Sequence, residues 1–194
     1  MARVLAFAGS ARRDSLNKKL ARVAAQAARE AGGEVTLVDL DDYPIPLYHG
    51  DLEAAQGMPG NALKLRELFL SHGALLIASP ENNGSVSALL KNTIDWLSRD
   101  IGDGKGLNSG LAPYRGKTAA LLAASPGAFG GVSGLAHLRH ILAKLGVTVL
   151  GPQFTLARAH EAFDVDGGMK NERSRELVRN LAADLVDKAE RLGT

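Results

Sequence analysis

Val4-Leu-Ala-Phe-Ala8 leads directly into Gly9-Ser-Ala-Arg-Arg-Asp-Ser-Leu-Asn17. A short apolar run, a turn of small residues and the start of a helix-patterned segment follow one another without a break. That order builds an anion site. The first N–H groups of a helix have no partner within it, carry partial positive charge and point into the turn before it. The hydroxyls of Ser10 and Ser15, the amide of Asn17 and the guanidinium groups of Arg12 and Arg13 surround that spot. A guanidinium fork matches phosphate oxygens. The local pattern is equally that of a helix capped by Ser15 with both arginines in solvent. It is not a Walker A loop, because no Gly-Lys-Ser or Gly-Lys-Thr closes it. Nor is it a dinucleotide fingerprint, because no glycine lies between Ser10 and Leu16.

Outward from this stretch, short apolar runs alternate with amphipathic segments. Leu16, Leu20, Val23, Ala24, Ala27 and Ala31 recur at helical spacing until Gly32-Gly33. Val35–Val38 reads as the second strand. A Pro-containing connection through Pro44 and Pro46 follows, and Asn61 is placed to cap a second helix carrying Leu65, Leu68 and Phe69. Ala74–Ala78 is a third strand, and a helix is predicted from about Ser87 to Ser98. A Gly-rich loop spans 102–116, Thr118–Ala124 is the fourth strand, and a helix carrying Leu135, Leu138 and Leu142 stops at Gly146. Val147–Leu150 is the fifth strand, and a last helix runs from about Asn171 to Leu192. Near-continuous apolar strands alternating with helices predict a parallel sheet covered on both faces, a doubly wound α/β architecture. No repeat, linker or shift in composition divides the 194 residues, so one domain over 1–194 is expected.

Composition narrows the function. The net charge of +2 is too mild for a nucleic-acid binder, and no basic run interleaves with aromatics. The sequence pI of about 9.0 favours small anionic ligands. The chain has no cysteine, which excludes disulfides, thiol catalysis and Cys-ligated metal clusters, so redox chemistry would need a bound cofactor. The N-terminus is too short for a signal peptide, and no apolar run is long enough to span a membrane. A cytoplasmic protein with no membrane or nucleic-acid partner is expected. His137 and His140 share a helix face without a third ligand nearby, so no metal site is expected.

In a doubly wound sheet, ligands sit beyond the carboxyl ends of the strands. Two further loops emerge there. Ser79-Pro-Glu-Asn-Asn-Gly-Ser85 follows the third strand, and Ser125-Pro-Gly-Ala-Phe-Gly-Gly131 follows the fourth. Phosphate donors in the first loop and two Gly/Pro-shaped loops beside it suit a planar polar ring with a phosphate tail.

The motifs Gly9-Ser-x-Arg12-x-x-Ser15-x-Asn17, Ser79-Pro-Glu-x-Asn83-Gly-Ser and Leu90-Lys-Asn-x-Ile-Asp95-Trp-Leu-Ser-Arg99 resemble the NAD(P)H-dependent FMN reductase family. The resemblance extends to Gly116-Lys117 and to His137-Leu-Arg-His-Ile-Leu142. It implies a flavodoxin-like fold, a five-stranded parallel sheet of order 2-1-3-4-5 with helices on both faces. It implies FMN as cofactor and NADPH or NADH as electron donor, in a ping-pong cycle. Quinones, free flavin, ferric chelates, chromate or azo dyes would be the small-molecule acceptors. Ser10, Arg12, Ser15 and Asn17 would hold the FMN phosphate. Pro80, Glu81, Asn82, Asn83 and Gly84 would border the ring and ribityl chain, and Ser125, Gly127, Gly130 and Gly131 would line the other rim. Asn82 stands where the family usually has tyrosine, which removes stacking area at the flavin edge. Glu81 reads as a positioning residue, since hydride transfer to a flavin needs stacking rather than a protein base. Arg99 either balances a helix C-terminus or reaches substrate or a neighbouring subunit. The resemblance also implies a homodimer or homotetramer, for which Trp96, Leu107, Leu111 and Tyr114 are the apolar candidates. A non-enzymatic flavodoxin-type electron carrier is the alternative. Such carriers are typically acidic, and the basic pI argues against it.

Overall fold

The computed structural model describes residues 1–102 and 107–193. In chain order the elements are β1 (Arg3–Ala8), α1 (Leu16–Glu30), β2 (Glu34–Asp39), α2 (Gly50–Gln56), α3 (Gly60–Ser71), β3 (Ala74–Ala78), β4 (Glu81–Asn82), β5 (Ser85–Val86), α4 (Ala88–Leu97), α5 (Leu107–Leu111), β6 (Thr118–Ala124), α6 (Val132–Lys144), β7 (Thr148–Val149), β8 (Phe154–Leu156) and α7 (Glu172–Leu192). The main sheet has the order β2-β1-β3-β6-β7, with β8 paired to β6 as well, and every pairing in it is parallel. This is the expected order, with helices on both faces.

Alternation along the buried strands divides the core in two. Val4, Ala6 and Ala8 of β1, with Leu76 of β3 and Leu122 of β6, pack against α1 and α7. Leu5, Phe7, Leu75, Ile77 and Leu121 pack on the opposite face, against α3, α4 and α6. Both faces are apolar, so the period of two is hidden in the sequence and each strand reads as a continuous run. The first face is rich in alanine, as are the buried positions Ala21, Ala24, Ala25 and Ala28 of α1. Small side chains on both surfaces let helix and sheet approach closely. The second face carries larger groups, including Phe7, Phe69 and Tyr114, with ring centroids 5.6 Å apart in each adjoining pair.

Several expectations change at the margins. The fifth strand is not one run over Val147–Leu150. Its two pieces, β7 and β8, pair with opposite ends of β6, with Thr148 beside Thr118 and Phe154 beside Leu122. Gly151 and Pro152 lie between them, and the Arg139 guanidinium donates to the carbonyls of Leu150 (2.6 Å) and Gly151 (3.2 Å). The loop after β3 is a hairpin, β4 with β5, turning through Asn83 (φ 52°) and Gly84 (φ 73°). Positive φ at both central residues is the type I′ turn that Asn-Gly favours. Asn61 does not cap α3. Pro59 precedes the helix, and the Asn61 amide donates to Pro44 O at 3.0 Å. The Gly-rich 102–116 stretch contains α5, while residues 103–106 lie outside the described residues.

Candidate functional site

A cleft of about 380 Å³ opens beyond the carboxyl ends of β1, β3 and β6. Its lining comes from four pieces of chain: residues 9–12 with 15–17, residues 80–82, residues 87–89 and residues 124–126. The first, third and fourth strands therefore deliver their loops to one place, as parallel topology requires.

The loop after β1 is built around the start of α1. Ser15 is the N-cap, and its buried hydroxyl accepts from Lys18 N at 3.4 Å. Ser10 Oγ accepts from Arg12 N at 3.3 Å. Ser10, Arg12 and Ser15 line the cleft; Arg13 does not. Gly9 packs tightly against α4, since a Cβ there would lie 3.0 Å from the Leu90 Cβ. Ser87 Oγ donates to Gly9 O at 2.6 Å and accepts from Leu90 N at 3.1 Å, so one hydroxyl caps α4 and fastens it to the first loop. Sequence reasoning missed Ser87 as a site residue. Its only signal was its place just ahead of an apolar-periodic segment, which marks a cap and says nothing of what else the hydroxyl reaches.

Asn17 lines the cleft as well and also joins two loops. Its amide nitrogen donates to Ala124 O at 2.8 Å and its oxygen accepts from Ala124 N at 2.9 Å. The side chain is buried and engaged in a backbone-like pair that ties the first loop to the end of β6.

Glu81 lines the cleft and also braces a helix. Its Oε2 accepts from Gly134 N at 2.8 Å. Helix α6 begins at Gly131 with no side-chain cap of its own. The Glu81 carboxylate thus satisfies a first-turn N–H and sits at the positive end of the helix dipole. Gly134 fits against this hairpin because a Cβ would meet Ser85 O at 3.1 Å and Glu81 Cβ at 3.2 Å.

Asn82 lines the cleft, whereas Asn83 and Gly84 form the hairpin turn and do not. Ser125 lines it, with Oγ accepting from Gly127 N at 3.1 Å. Gly127, Gly130 and Gly131 lie outside the lining. The last two answer to packing: Gly131 has φ 92°, and a Cβ there would stand 2.8 Å from the Ala123 Cβ.

Arg99 is not among the residues lining the cleft and is paired within the chain. Its Nε donates to the Glu53 carboxylate at 2.9 and 3.1 Å, and its guanidinium lies over the Tyr48 ring. Tyr48 Oη donates to the same carboxylate at 2.8 Å. Desolvation alone would raise the Glu53 pKa, but the hydrogen bonds from Arg99 and Tyr48 outweigh it and hold the carboxyl below its ordinary range. Trp96 and Tyr114 are fully buried in the chain's own core, with Trp96 Nε1 donating to Pro46 O. They are not apolar surface awaiting a second subunit. The side chain of Leu107 lies outside the described residues.

A family model for NADPH-dependent FMN reductases matches residues 2–161. The chain belongs to this family. An NAD(P)H-dependent FMN reductase of Pseudomonas aeruginosa is 36% identical over 178 residues, 91% of this chain and 89% of that one. An NADPH:quinone oxidoreductase of Arabidopsis thaliana is 32% identical over 186 residues, 94% of this chain and 89% of that one. Among solved structures, FerB, a flavoenzyme NAD(P)H:(acceptor) oxidoreductase from Paracoccus denitrificans, superposes with a TM-score of 0.79 at 29% identity, covering 98% of both chains. This FMN reductase family member is an oxidoreductase enzyme that uses FMN and NAD(P)H, not a mere carrier. No helix among the described residues is long and apolar enough to cross a membrane.

The cleft fits the cofactor. The hydroxyls of Ser10 and Ser15, the Arg12 guanidinium and the positive N-terminal end of α1 form a donor set for a dianion. Leu16, Pro80, Leu89 and Pro126 supply apolar wall for a flat ring.

Proposed function

We propose that this enzyme takes reducing equivalents from NAD(P)H and passes them to quinones from FMN held in the cleft, with the whole chain acting as one FMN-binding unit. The observation that carries this reading is the convergence on one cleft of the anion loop, the β4–β5 hairpin and the end of β6. Ser10, Arg12 and Ser15 would bind the terminal phosphate. Asn17 and Ser87 hold the loops in register through Ala124 and Gly9. Pro80, Glu81 and Asn82 would border the ring on one side and Ser125 on the other. Bound FMN supplies hydride acceptance and onward electron transfer, chemistry that no side chain here provides. The protein's part is orientation. The Glu81 carboxylate is committed to Gly134 N and so fixes the hairpin, which fits a positioning role rather than acid–base work. Asn82 is small and exposed where an aromatic is usual in the family, which leaves the rim open to flat donors and acceptors in turn.

Quinone reductase relatives in Pseudomonas putida and Arabidopsis thaliana, each 32% identical, support quinones as the first acceptors to test. Free flavin, ferric chelates, chromate and azo dyes are the wider set. A homodimer or homotetramer in the cytoplasm completes the proposal, and the exposed Leu47 (79%) and Phe129 (81%) offer apolar surface for association.

The test is spectroscopic. The purified protein with FMN should be yellow, bleach under anaerobic NADPH and regain its colour when benzoquinone is added. Protein that binds no FMN, or bleached protein that benzoquinone leaves colourless, would refute the reading.

A further inference from the structure

Lys18 is a buried cation that the site described so far does not use. It is 7% exposed, in the first turn of α1. Its Nζ lies 2.7 Å from Asp39 Oδ2 at the end of β2 and donates to Ala11 O at 3.3 Å. Ala11 lines the cleft between Ser10 and Arg12; Lys18 itself does not. The ammonium therefore stands behind the anion loop and holds one of its carbonyls.

That hold has a directional consequence. In a trans peptide the C=O and the following N–H point in opposite directions. No cis peptide occurs among the described residues. With Ala11 O drawn back to Lys18, the Arg12 N–H faces the other way, towards Ser10 Oγ on the cleft side. A carbonyl turned into the cleft would place its negative end against an anion, whereas the observed orientation presents donors there. Asp39 makes the arrangement tolerable, because a buried ammonium without a counter-charge is costly. Asp39 Oδ1 also accepts from Asp41 N at 3.1 Å, which fixes the carboxylate at the end of β2.

We propose that Lys18 is a positioning residue for the cofactor phosphate: by holding Ala11 O, it orients the anion loop and sets the phosphate-dependent part of FMN affinity. The proposal rests on the reading that this loop takes the FMN phosphate. Riboflavin, which has the same ring and ribityl chain without the phosphate, separates the two ideas. The full-length chain, freed of flavin, is titrated with FMN and with riboflavin by flavin fluorescence. The wild type should bind FMN more tightly than riboflavin. Lys18→Met should reduce that preference about tenfold, the effect of about one charge-assisted hydrogen bond, while riboflavin affinity holds. Lys18→Arg, which keeps a cationic donor, should restore most of it. A wild type without preference for FMN overturns the phosphate reading itself. A wild-type preference that survives unchanged in Lys18→Met, or equal losses for both flavins, overturns the role of Lys18 alone. If Lys18→Met does not fold, Asp39→Asn decides. It leaves the buried ammonium without its counter-charge, so the hold on Ala11 O should loosen and the preference for FMN should fall while riboflavin affinity holds; an unchanged or increased preference, or equal losses for both flavins, overturns the proposal.

Discussion

Asn17 shows how far residue type and residue role can part. By type it is a polar group in an anion loop; by geometry it is half of a backbone-like ladder rung with Ala124. The distinction is measurable because the pair needs a donor on one side and an acceptor on the other. Asn17→Asp keeps the shape and the acceptor but sets a carboxylate oxygen against Ala124 O. We expect it to destabilise the fold by about 1–3 kcal/mol at neutral pH. The new carboxyl would titrate above its unfolded value, because only its protonated form can donate to Ala124 O. The sign follows by linkage: the deficit is full above the raised pKa and shrinks as pH falls through it towards about 4. Asn17→Ala loses both bonds and should show no such recovery in denaturant melts across the same range. Lys18, next in the chain, was equally illegible. A lysine on a helix reads as solvated, and only the approach of Asp39 from β2 buries it.

Elements were legible where apolar burial defines them. The central strands and the long helices follow from runs and periodicity, because each owes its place to the core it covers. The parts that escaped are small or held by side chains. Helix α2 has no buried residue, so no hydrophobic period announces it; Tyr48, Glu53 and Arg99 fix that region instead. Strand β8 is three residues long and follows Pro152. The hairpin did carry a signal in Asn83-Gly84, but its two-residue strands lack the flanking alternation that normally supports it. The positions of the site loops could be read, since parallel strands send their ends to one side; the aim of side chains such as Glu81 could not, since it depends on a contact 53 residues away in sequence. Glu81→Ala should remove the side-chain cap at the start of α6. A loss of about 1 kcal/mol is expected, or roughly 2–4 °C in thermal melting for a chain of this size. Glu81→Gln keeps an acceptor and should lose much less.

At the scale of the molecule, the two ends of the sheet divide labour. The cleft occupies the carboxyl ends, while the opposite end is closed by buried polar contacts. There Lys117, before β6, donates through Nζ to His72 O, and burial lowers its pKa to about 8. The unfolded chain holds that proton up to about pH 10.5. The folded state therefore carries the full cost of the charge below pH 8, and stability relative to Lys117→Met should rise between about pH 8 and 10.5. Chemical denaturation of both proteins across that range checks the sign. The far margin of the sheet has its own logic. Because β7 and β8 are separated by a break that Arg139 fills, the outer rail offers a passing strand no long run of free amides and carbonyls to zip onto. A cationic plug in the middle of that border would have to be expelled before a foreign chain could extend the ladder there, so this one margin is guarded against growing sideways into fibrils.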